Sequence, residues 1–253
     1  MIKRIRQYID NINNERSFFM VTQRHEIAVF CGGPGLRMSK LTLKKQKCML
    51  KVKGKPILEH LLEQISGAFD SAKVILLTGY HSNSIHKYFG EKYKRLKLEY
   101  APESKEGTRL SLLSAEGLVK NDNFLLTSGD IIVRGSEFLN LINAKNYKSL
   151  GVMLLSKDRE IAPTHSQVTM KNCVVLKIKY PPGKLIFRDT YSSIGAGFYS
   201  RRLFNKLKKH DVFDTAEMLA QLVKEGEFLE GRICATPWFH FVSLEDLKVK
   251  IEF

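Results

Sequence analysis

The stretch IAVFCGGPGLR, from Ile27 to Arg37, decides the fold of this chain. Four apolar residues at its start predict a buried strand. The strand runs into a loop that is rich in glycine and ends in an arginine. Because such a loop exposes backbone N–H groups, and arginine presents a fixed fork of donors, the stretch predicts a phosphate-binding site. A plain turn after a strand would contain the same glycines.

The residues that follow strengthen the first interpretation. Lys47 lies ten positions after Arg37, and the segment VKGKPILEHLL comes next, from Val52 to Leu62. This order resembles the opening of the sugar-1-phosphate nucleotidyltransferases, also called nucleotide-sugar pyrophosphorylases, which reads AGG-x-G-T-R, then PK, then V-x-G-K-P. The resemblance extends from residue 26 to residue 251 in the order of elements and is most specific up to Leu62.

Strand and helix patterns alternate outward from this motif. Apolar strand patterns lie at 73–80, 96–100 and 123–127, and helical patterns lie at 56–66, 82–90 and 108–119. This alternation predicts an α/β fold of three layers, with a mostly parallel mixed sheet and helices on both faces. The resemblance implies the same architecture, that of the nucleotide-diphospho-sugar transferases. Ligands of such sheets bind beyond the carboxyl ends of the strands.

The second half of the chain has a different pattern. Residues 167–180 predict a β-hairpin with its turn at 171–172, and a glycine-rich strand follows at 194–199. We therefore expect a hairpin insertion in the second half of the fold. Asp214 and Glu217 have the spacing of a capping box, in which two side chains cap the start of a helix reciprocally.

A separate segment precedes the glycine-rich motif. Isoleucines at positions 2, 5, 9 and 12 recur at helical spacing and predict an amphipathic helix over 2–14. We accordingly divide the chain into an N-terminal helix and connector at 1–25 and a nucleotidyltransferase-like domain at 26–253. The apolar stripe of the helix could dock on the protein body, on a second copy to form a homo-oligomer, or on a membrane surface. Docking on protein is the commonest case.

Composition limits the classes of partner. Among 253 residues, 41 lysines and arginines face 26 acidic residues, a formal net charge of +15. The basic residues are spread through nearly every segment without a nucleic-acid-binding motif, so we expect no nucleic-acid partner. No apolar run approaches the roughly 20 residues of a transmembrane helix. Four scattered cysteines without a CxxC pair favour a reducing, cytoplasmic location.

Three residues are candidates for catalysis: Arg37, Lys47 and Asp130. Transfer of a nucleotidyl group requires positioning, neutralisation of phosphate charge and usually a divalent metal. Arg37 would neutralise the triphosphate, and the resemblance implies that Lys47 bridges the phosphates of both substrates. Asp130 follows an apolar strand and a glycine, which predicts a carboxylate that suits Mg²⁺, or Mn²⁺, at the edge of the sheet. A turn aspartate would show the same pattern, but the resemblance implies a metal ligand.

Binding of both substrates is predicted from two further groups of residues. The nucleotide-binding candidates in the loop are Cys31, Gly32, Gly33, Gly35 and Arg37. The segment around Gly107 resembles the family's loop against the nucleobase, where a glycine lets the base lie close to the backbone. A helix N-cap at Thr108 would explain the same residues. The resemblance implies sugar-phosphate binding by Lys47, Lys179 and Gly195.

Four positions depart from the family pattern. Leu36 replaces a threonine or serine, and Gln46 replaces the proline before the lysine. Lys179 stands where the family has a glutamate that holds sugar hydroxyls. His240 stands where the family has its second metal-binding aspartate, so the metal site predicted from Asp130 and His240 would be weak for Mg²⁺ and would suit Mn²⁺ better.

The segment around His240 predicts a closing strand at 238–242. Side chains alternate along a strand, so Trp238 and His240 would share one face, with Phe239 and Phe241 on the other. A packing role is the alternative for His240. After the strand, Ser243 and Asp246 have the spacing of a capping box for a short helix.

The resemblance implies an enzyme that joins an NTP and a sugar 1-phosphate, or a related phosphorylated alcohol, to give a nucleotide-sugar and pyrophosphate. The alternative is a degenerate family member that binds nucleotide or sugar phosphate in a regulatory or scaffolding role without turnover. The departures at Leu36, Lys179 and His240 favour this alternative. The sequence does not determine the nucleobase or the acceptor.

Overall fold

The computed structural model describes residues 24–33, 35, 38, 42–43, 45–104, 106–158, 161, 164–181, 190–248 and 251. The helix predicted over 2–14, Leu36 and Arg37 lie outside these residues, so the homo-oligomer proposed through that helix stays a prediction. All four cysteines are free thiols. None of the helices in the described ranges is long and apolar enough to cross a membrane.

Strands and helices alternate in the first half of the chain. Its strands are β1 (His25–Phe30), β2 (Lys51–Val52), β3 (Lys55–Pro56), β4 (Ala72–Leu77), β5 (Lys92–Tyr93), β6 (Leu96–Ala101), β7 (Asn123–Ser128) and β8 (Ile131–Val133). Its helices are α1 (Ile57–Ala68), α2 (Ser82–Phe89), α3 (Gly107–Leu113) and α4 (Gly135–Ala144). The third helix is shorter than the pattern at 108–119 predicted.

The second half contains more strand than helix. Its strands are β9 (Gly151–Ser156), β10 (Gln167–Lys171), β11 (Val174–Lys179), β12 (Thr190–Ser200), β13 (Leu229–Ile233) and β14 (Trp238–His240). Two helices, α5 (Leu203–Lys209) and α6 (Thr215–Lys224), lie between β12 and β13.

Ten of these strands form one mixed sheet in the order β10-β11-β13-β9-β12-β7-β1-β4-β6-β5. Strands β7, β1, β4 and β6 are parallel to one another, as the alternation with helices predicted. Beyond them, β12 is antiparallel to both β7 and β9, and the predicted hairpin of β10 and β11 extends the sheet. The predicted α/β fold with a mixed sheet is confirmed, and the second half supplies most of the antiparallel pairs.

Two clusters of buried side chains cover opposite faces of the sheet. Ile27 and Val29 of β1 pack in one cluster with Leu61 of α1 and Phe138 of α4. Ala28, which lies between them in β1, packs in the other cluster with side chains of α3, α5 and α6. Because successive side chains of a strand point to opposite faces, the two clusters define the predicted three layers.

The glycine-rich loop begins where the parallel strands end. The Cys31 N–H donates to the Leu77 carbonyl at 2.9 Å, and the Gly129 N–H donates to the Phe30 carbonyl at 2.9 Å. These bonds place the start of the loop and Asp130, the residue after Gly129, at the carboxyl edge of the sheet. The predicted position of Asp130 at the edge of the sheet is confirmed, and the start of the loop lies beside it.

A small antiparallel sheet of β8 and β14 brings His240 to the same edge. His240 pairs with Ile131, and the Phe241 N–H donates to the Asp130 carbonyl at 3.0 Å. Phe239 and Phe241 pack together in a third apolar cluster, whereas Trp238 packs against the first cluster. The predicted alternation of faces is therefore confirmed, although the strand ends at His240.

The two predicted capping boxes have different outcomes. The Asp246 carboxylate accepts the Ser243 N–H at 2.6 Å, as predicted, although the helix that follows is one short 3₁₀ turn, Glu245–Lys248. Asp214 precedes α6 but makes no capping bond with it. Its carboxylate instead accepts from the Thr108 hydroxyl at 3.0 Å and from the Tyr180 hydroxyl. The second prediction is wrong because partners from other elements occupy this carboxylate.

Candidate active site

Lys47 and Asp130 form an ion pair at the carboxyl edge of the sheet. Lys47 Nζ contacts Asp130 Oδ2, and the two side chains are only 11% and 20% exposed. Burial by itself would raise the pKa of Asp130, but the Lys47 ammonium and then His240 hold this pKa well below its usual range. The carboxylate is therefore ionised at neutral pH. Two of the three predicted catalytic residues lie together, while Arg37 is outside the described residues.

His240 lies beside the same carboxylate, as the resemblance implied. Its Nε2 is 3.5 Å from Asp130 Oδ2, and its Nδ1 is 2.9 Å from Nε2 of His165. The other ring nitrogen of His165 lies 2.8 Å from the Thr164 hydroxyl. A continuous series of polar side chains thus connects Asp130 with Thr164. Sequence reasoning missed His165 because no motif surrounds it.

The donor set around Asp130 fits a divalent metal that is held largely by its substrate. Mg²⁺ usually keeps water and phosphate oxygens beside one or two carboxylates. Asp130 supplies one carboxylate, and the His240 imidazole is a better ligand for Mn²⁺. Among the residues that the structure describes, no group of three or more His, Cys, Asp or Glu side chains could hold a metal ion. With only Asp130 and His240 as ligands from the described residues, phosphate and water oxygens would have to supply the rest of the ion's coordination.

The glycines of the loop differ in their surroundings. A Cβ atom on Gly32 would lie 3.1 Å from the backbone of Gly79. On Gly35, whose φ is +62°, it would lie 2.8 Å from Cγ2 of Thr42. Close packing accounts for both glycines, and the left-handed backbone adds a second reason at Gly35. Apart from its chain neighbours, no atom of the described residues lies within 4 Å of a Cβ atom on the exposed Gly33. A ligand can therefore approach the backbone at Gly33.

Gln46 connects this loop to Lys47. Its side-chain amide donates to the Cys31 carbonyl, and its Oε1 accepts the Cys48 N–H. The residue that departs from the family's proline thus holds the turn before Lys47.

Burial, followed by the neighbouring Cys48, raises the pKa of the Cys31 thiol. Because this thiol is neutral and buried, the nucleotide contact predicted for Cys31 has no exposed side-chain group to support it.

Gly107 has a packing role beside its predicted contact with the nucleobase. Its φ is +84°, and a Cβ atom there would lie 2.2 Å from the Phe213 carbonyl oxygen. Glycine is therefore required by the close approach of the segment before α6. Thr108 lies inside α3, and its hydroxyl accepts the Thr215 N–H at 2.8 Å. The N-cap predicted at Thr108 is wrong: the hydroxyl caps α6, not its own helix.

A cavity of about 360 Å³ lies between β12, the hairpin and the start of α6. Its apolar lining includes Phe30, Leu126, Met153, Ile178, Tyr199 and Leu219. Its polar lining carries hydroxyl groups and one carboxylate, from Thr108, Ser128, Thr164, Ser166, Tyr180, Ser193, Asp214 and Thr215.

Of two residues predicted to bind the sugar phosphate, Gly195 lines this cavity and Lys179 is not among its lining residues. Gly195, with φ +88°, lies in the wall, where a Cβ atom would be 3.4 Å from the Ser128 hydroxyl. Lys179 is not among the residues that line the cavity, whereas Tyr180 is. Tyr180 and Asp214, which no motif had singled out as site residues, therefore belong to the candidate site.

This fold and arrangement are those of an α/β protein with a candidate phosphate site, and comparison with known proteins identifies its family. The sequence profile of the nucleotidyl transferase family matches residues 28–168. The chain belongs to this family.

Relatives with known names agree with this assignment. The bifunctional protein GlmU of Methanococcus maripaludis is 34% identical over 142 residues, which are 53% of this chain and 33% of that protein. The chain thus spans about a third of the length of such relatives. The UTP–glucose-1-phosphate uridylyltransferase AglF of Haloferax volcanii is 23% identical over 222 residues, covering 81% of this chain and 86% of AglF.

Solved structures show the same fold. A UDP-glucose pyrophosphorylase from Acinetobacter baumannii superposes with a TM-score of 0.76 at 16% identity, covering 89% of this chain and 91% of that one. The nucleotide-diphospho-sugar transferase-like fold implied by the sequence is confirmed.

Proposed function

We propose that this chain transfers a nucleotidyl group from an NTP to a sugar 1-phosphate, or to a related phosphorylated polyol, and releases pyrophosphate. The observation that carries the proposal is the Lys47–Asp130 pair, which lies at the carboxyl edge of the sheet with His240 beside it. The backbone at Gly33 is open, and the hydroxyl-lined cavity reaches Phe30 and Ser128, the last residues of β1 and β7. Membership of the family and the named activity of AglF support the proposal.

The proposed reaction joins two phosphates. An ionised oxygen of the acceptor phosphate attacks the α-phosphorus of the NTP and forms a new P–O bond. The bond from the α-phosphorus to the bridging oxygen breaks, and pyrophosphate leaves with the electron pair. Because the attacking oxygen is already ionised, no proton has to be removed from it. The protein therefore has to align the two phosphates and neutralise their charge.

Each residue of the site has a role in this scheme. Arg37 and the backbone at Gly33 bind the triphosphate. Lys47 exchanges its contact with Asp130 for phosphate oxygens when substrates bind, because a lysine ammonium is a flexible point charge. Asp130 and His240 would hold Mg²⁺ or Mn²⁺, which would neutralise phosphate charge.

The cavity suits the uncharged part of the acceptor. Among the described residues that line it, none is a lysine or an arginine. Apolar side chains can pack on ring carbons, and the hydroxyl groups can pair with acceptor hydroxyls. Ser128 of the cavity wall lies two residues before Asp130, so an acceptor phosphate at this end comes close to Lys47.

Pyrophosphate release tests the proposal. Each of the four NTPs is combined with glucose 1-phosphate, N-acetylglucosamine 1-phosphate, inositol 1-phosphate or phosphocholine, with Mg²⁺ or Mn²⁺. We expect release with at least one sugar or inositol phosphate, and none from Asp130→Asn. Nucleotide binding in calorimetry without release would support the alternative of a binding protein without turnover. The absence of both binding and release would contradict the two functions together.

A further inference from the structure

Asp214 lies in the cavity wall at the junction of three elements. Its carboxylate accepts hydrogen bonds from Thr108 of α3 at 3.0 Å and from Tyr180 at the end of the hairpin. Thr108 also satisfies the Thr215 N–H at the start of α6, at 2.8 Å. Side chains from outside α6 therefore fix the position of the Asp214 carboxylate. Because Thr108 accepts the Thr215 N–H, the Asp214 carboxylate does not cap the helix.

The Asp214 carboxylate retains capacity to accept further hydrogen bonds. An ionised carboxylate offers about four lone-pair sites, and Tyr180 and Thr108 occupy two of them. No ion pair among the described residues involves Asp214. Burial, and next the Asp214 carboxylate, raise the pKa of Tyr180, so Tyr180 stays a neutral donor to Asp214. A ligand in the cavity therefore meets a carboxylate that pairs with none of the lysines and arginines that the structure describes.

The hairpin contributes no carboxylate to the described lining of the cavity. Lys179 is not among the lining residues, whereas the next residue, Tyr180, lines the cavity and donates to Asp214. The one carboxylate in the described lining is therefore that of Asp214, which precedes α6 and does not belong to the hairpin.

We propose that Asp214 determines acceptor specificity by accepting hydrogen bonds from hydroxyl groups of a phosphorylated polyol bound in the cavity. This inference rests on the proposed function and narrows it to acceptors with several hydroxyl donors. Hydroxyl groups are favoured because the remaining polar lining consists of serine, threonine and tyrosine hydroxyls, which pair with hydroxyls in either direction. A trimethylammonium group has no donor for a carboxylate.

Asp214→Asn tests the assignment with the same acceptor panel and NTPs. The substitution keeps the shape and removes the charge, so KM for the preferred sugar or inositol phosphate is expected to rise by about 10- to 100-fold. KM for the NTP is expected to change less than about twofold, because the phosphate site at Gly33 and Lys47 is intact. Asp211→Asn is the matched control: it removes the same charge three residues earlier, from a fully exposed side chain.

Deoxy analogues of glucose 1-phosphate locate the contact. Calorimetry compares the 2-, 3-, 4- and 6-deoxy compounds with the parent in wild type and in Asp214→Asn. One analogue is expected to bind wild type as weakly as Asp214→Asn binds the parent, and to bind both proteins equally, since the same hydrogen bond is missing. If every deoxy analogue binds more weakly than the parent, and by the same factor in wild type and in Asp214→Asn, the proposed contact would be contradicted.

The outcomes separate this inference from the function on which it rests. If wild type releases no pyrophosphate with any pair, the proposed function fails and the inference fails with it. If wild type releases pyrophosphate but Asp214→Asn has an unchanged acceptor KM, the inference is overturned and the proposed function stands. A preference of wild type for phosphocholine has the same meaning. If Asp214→Asn unfolds at assay temperature, Tyr180→Phe decides the question. This variant keeps the carboxylate but frees it from Tyr180, and it must change the acceptor KM while the NTP KM stays constant.

Discussion

The first and second halves of the main sheet build their parts of the site in different ways. In the first half, Gly33, Lys47 and Asp130 each follow a recognisable local pattern, and the parallel strands bring them to one edge. In the second half, the cavity collects single residues from many elements; the bond between Thr108 and Asp214 spans 106 positions. The proposed phosphate site therefore depends on short motifs, whereas the proposed acceptor site depends on tertiary contacts.

Departures from the family pattern show the same contrast. Gln46 replaces a proline, and its side chain bonds the neighbouring loop and turn, so the effect remains local. Lys179 replaces a glutamate, and the carboxylate beside the cavity belongs to Asp214 instead. The change at Gln46 is accommodated by its neighbours, while in the second half the carboxylate in the cavity wall comes from a different element.

The largest effect is expected from Asp130→Asn. An amide keeps the shape of the side chain but removes the charge that a metal and Lys47 need, so turnover should fall by at least about 10²- to 10³-fold. Nucleotide affinity should fall less, because the glycine loop is unchanged. Steady-state pyrophosphate release and calorimetry measure the two quantities. Asp246→Asn, at an aspartate that caps a turn, is the control. Full metal-dependent activity in Asp130→Asn would show that Asp130 is a turn residue.

Arg37→Ala should weaken nucleotide binding by about 10- to 100-fold, the loss of one charge-assisted hydrogen bond of about 1.5–3 kcal/mol. The melting temperature should stay close to that of wild type. Calorimetry with the preferred NTP measures the affinity, and Arg95→Ala, at an exposed arginine paired with Asp70, is the control. Unchanged affinity in Arg37→Ala would remove this arginine from the phosphate site.

Two glycine substitutions in the loop should affect different quantities: Gly35→Ala should lower stability, and Gly33→Ala should lower nucleotide affinity. Gly35→Ala forces a left-handed residue against Thr42, so its free energy of unfolding should fall by about 1–3 kcal/mol. The methyl group of Gly33→Ala contacts none of the residues described around the loop, so the free energy of unfolding should stay within about 0.5 kcal/mol of wild type. The affinity of Gly33→Ala for the NTP should nevertheless decrease, because a methyl group would cover the approach to the backbone. Denaturant unfolding and calorimetry on both variants test the pair, and equal nucleotide affinity in Gly33→Ala and wild type would contradict a phosphate contact there.

The smallest effect is expected from His240→Asp. A second carboxylate beside Asp130 should lower the half-saturating Mg²⁺ concentration for pyrophosphate release, by less than about tenfold, and reduce any preference for Mn²⁺. His240→Asn removes the imidazole without adding charge and serves as the control. The same Mg²⁺ dependence in wild type and His240→Asp would mean that position 240 does not contribute to metal binding.

Sequence patterns predicted the parts of the site that depend on neighbouring residues. The strand before Gly32, the carboxylate after β7 and the direction of His240 on its strand all follow from apolar runs and alternation, which are local properties. The capping predictions at Asp214 and Thr108 failed because spacing within one segment cannot reveal a partner in another. The Thr108 hydroxyl accepts a hydrogen bond from the N–H of Thr215 at the start of α6, and the Tyr180 hydroxyl donates one to the Asp214 carboxylate.

The sequence by itself determined the three-layer α/β fold, the family, and the placing of Lys47 and Asp130 at the edge of the sheet. Periodicity and glycines encode the fold and the placing of these residues because their physical causes act over a few residues, and the short motifs carry the resemblance to the family. Tertiary structure alone decided the placing of His165 beside His240, the role of Gln46 and the position of Asp214 in the cavity wall. The contact between His165 and His240 spans 75 positions. Such contacts arise when packed elements meet in space, so no spacing along the chain reveals them.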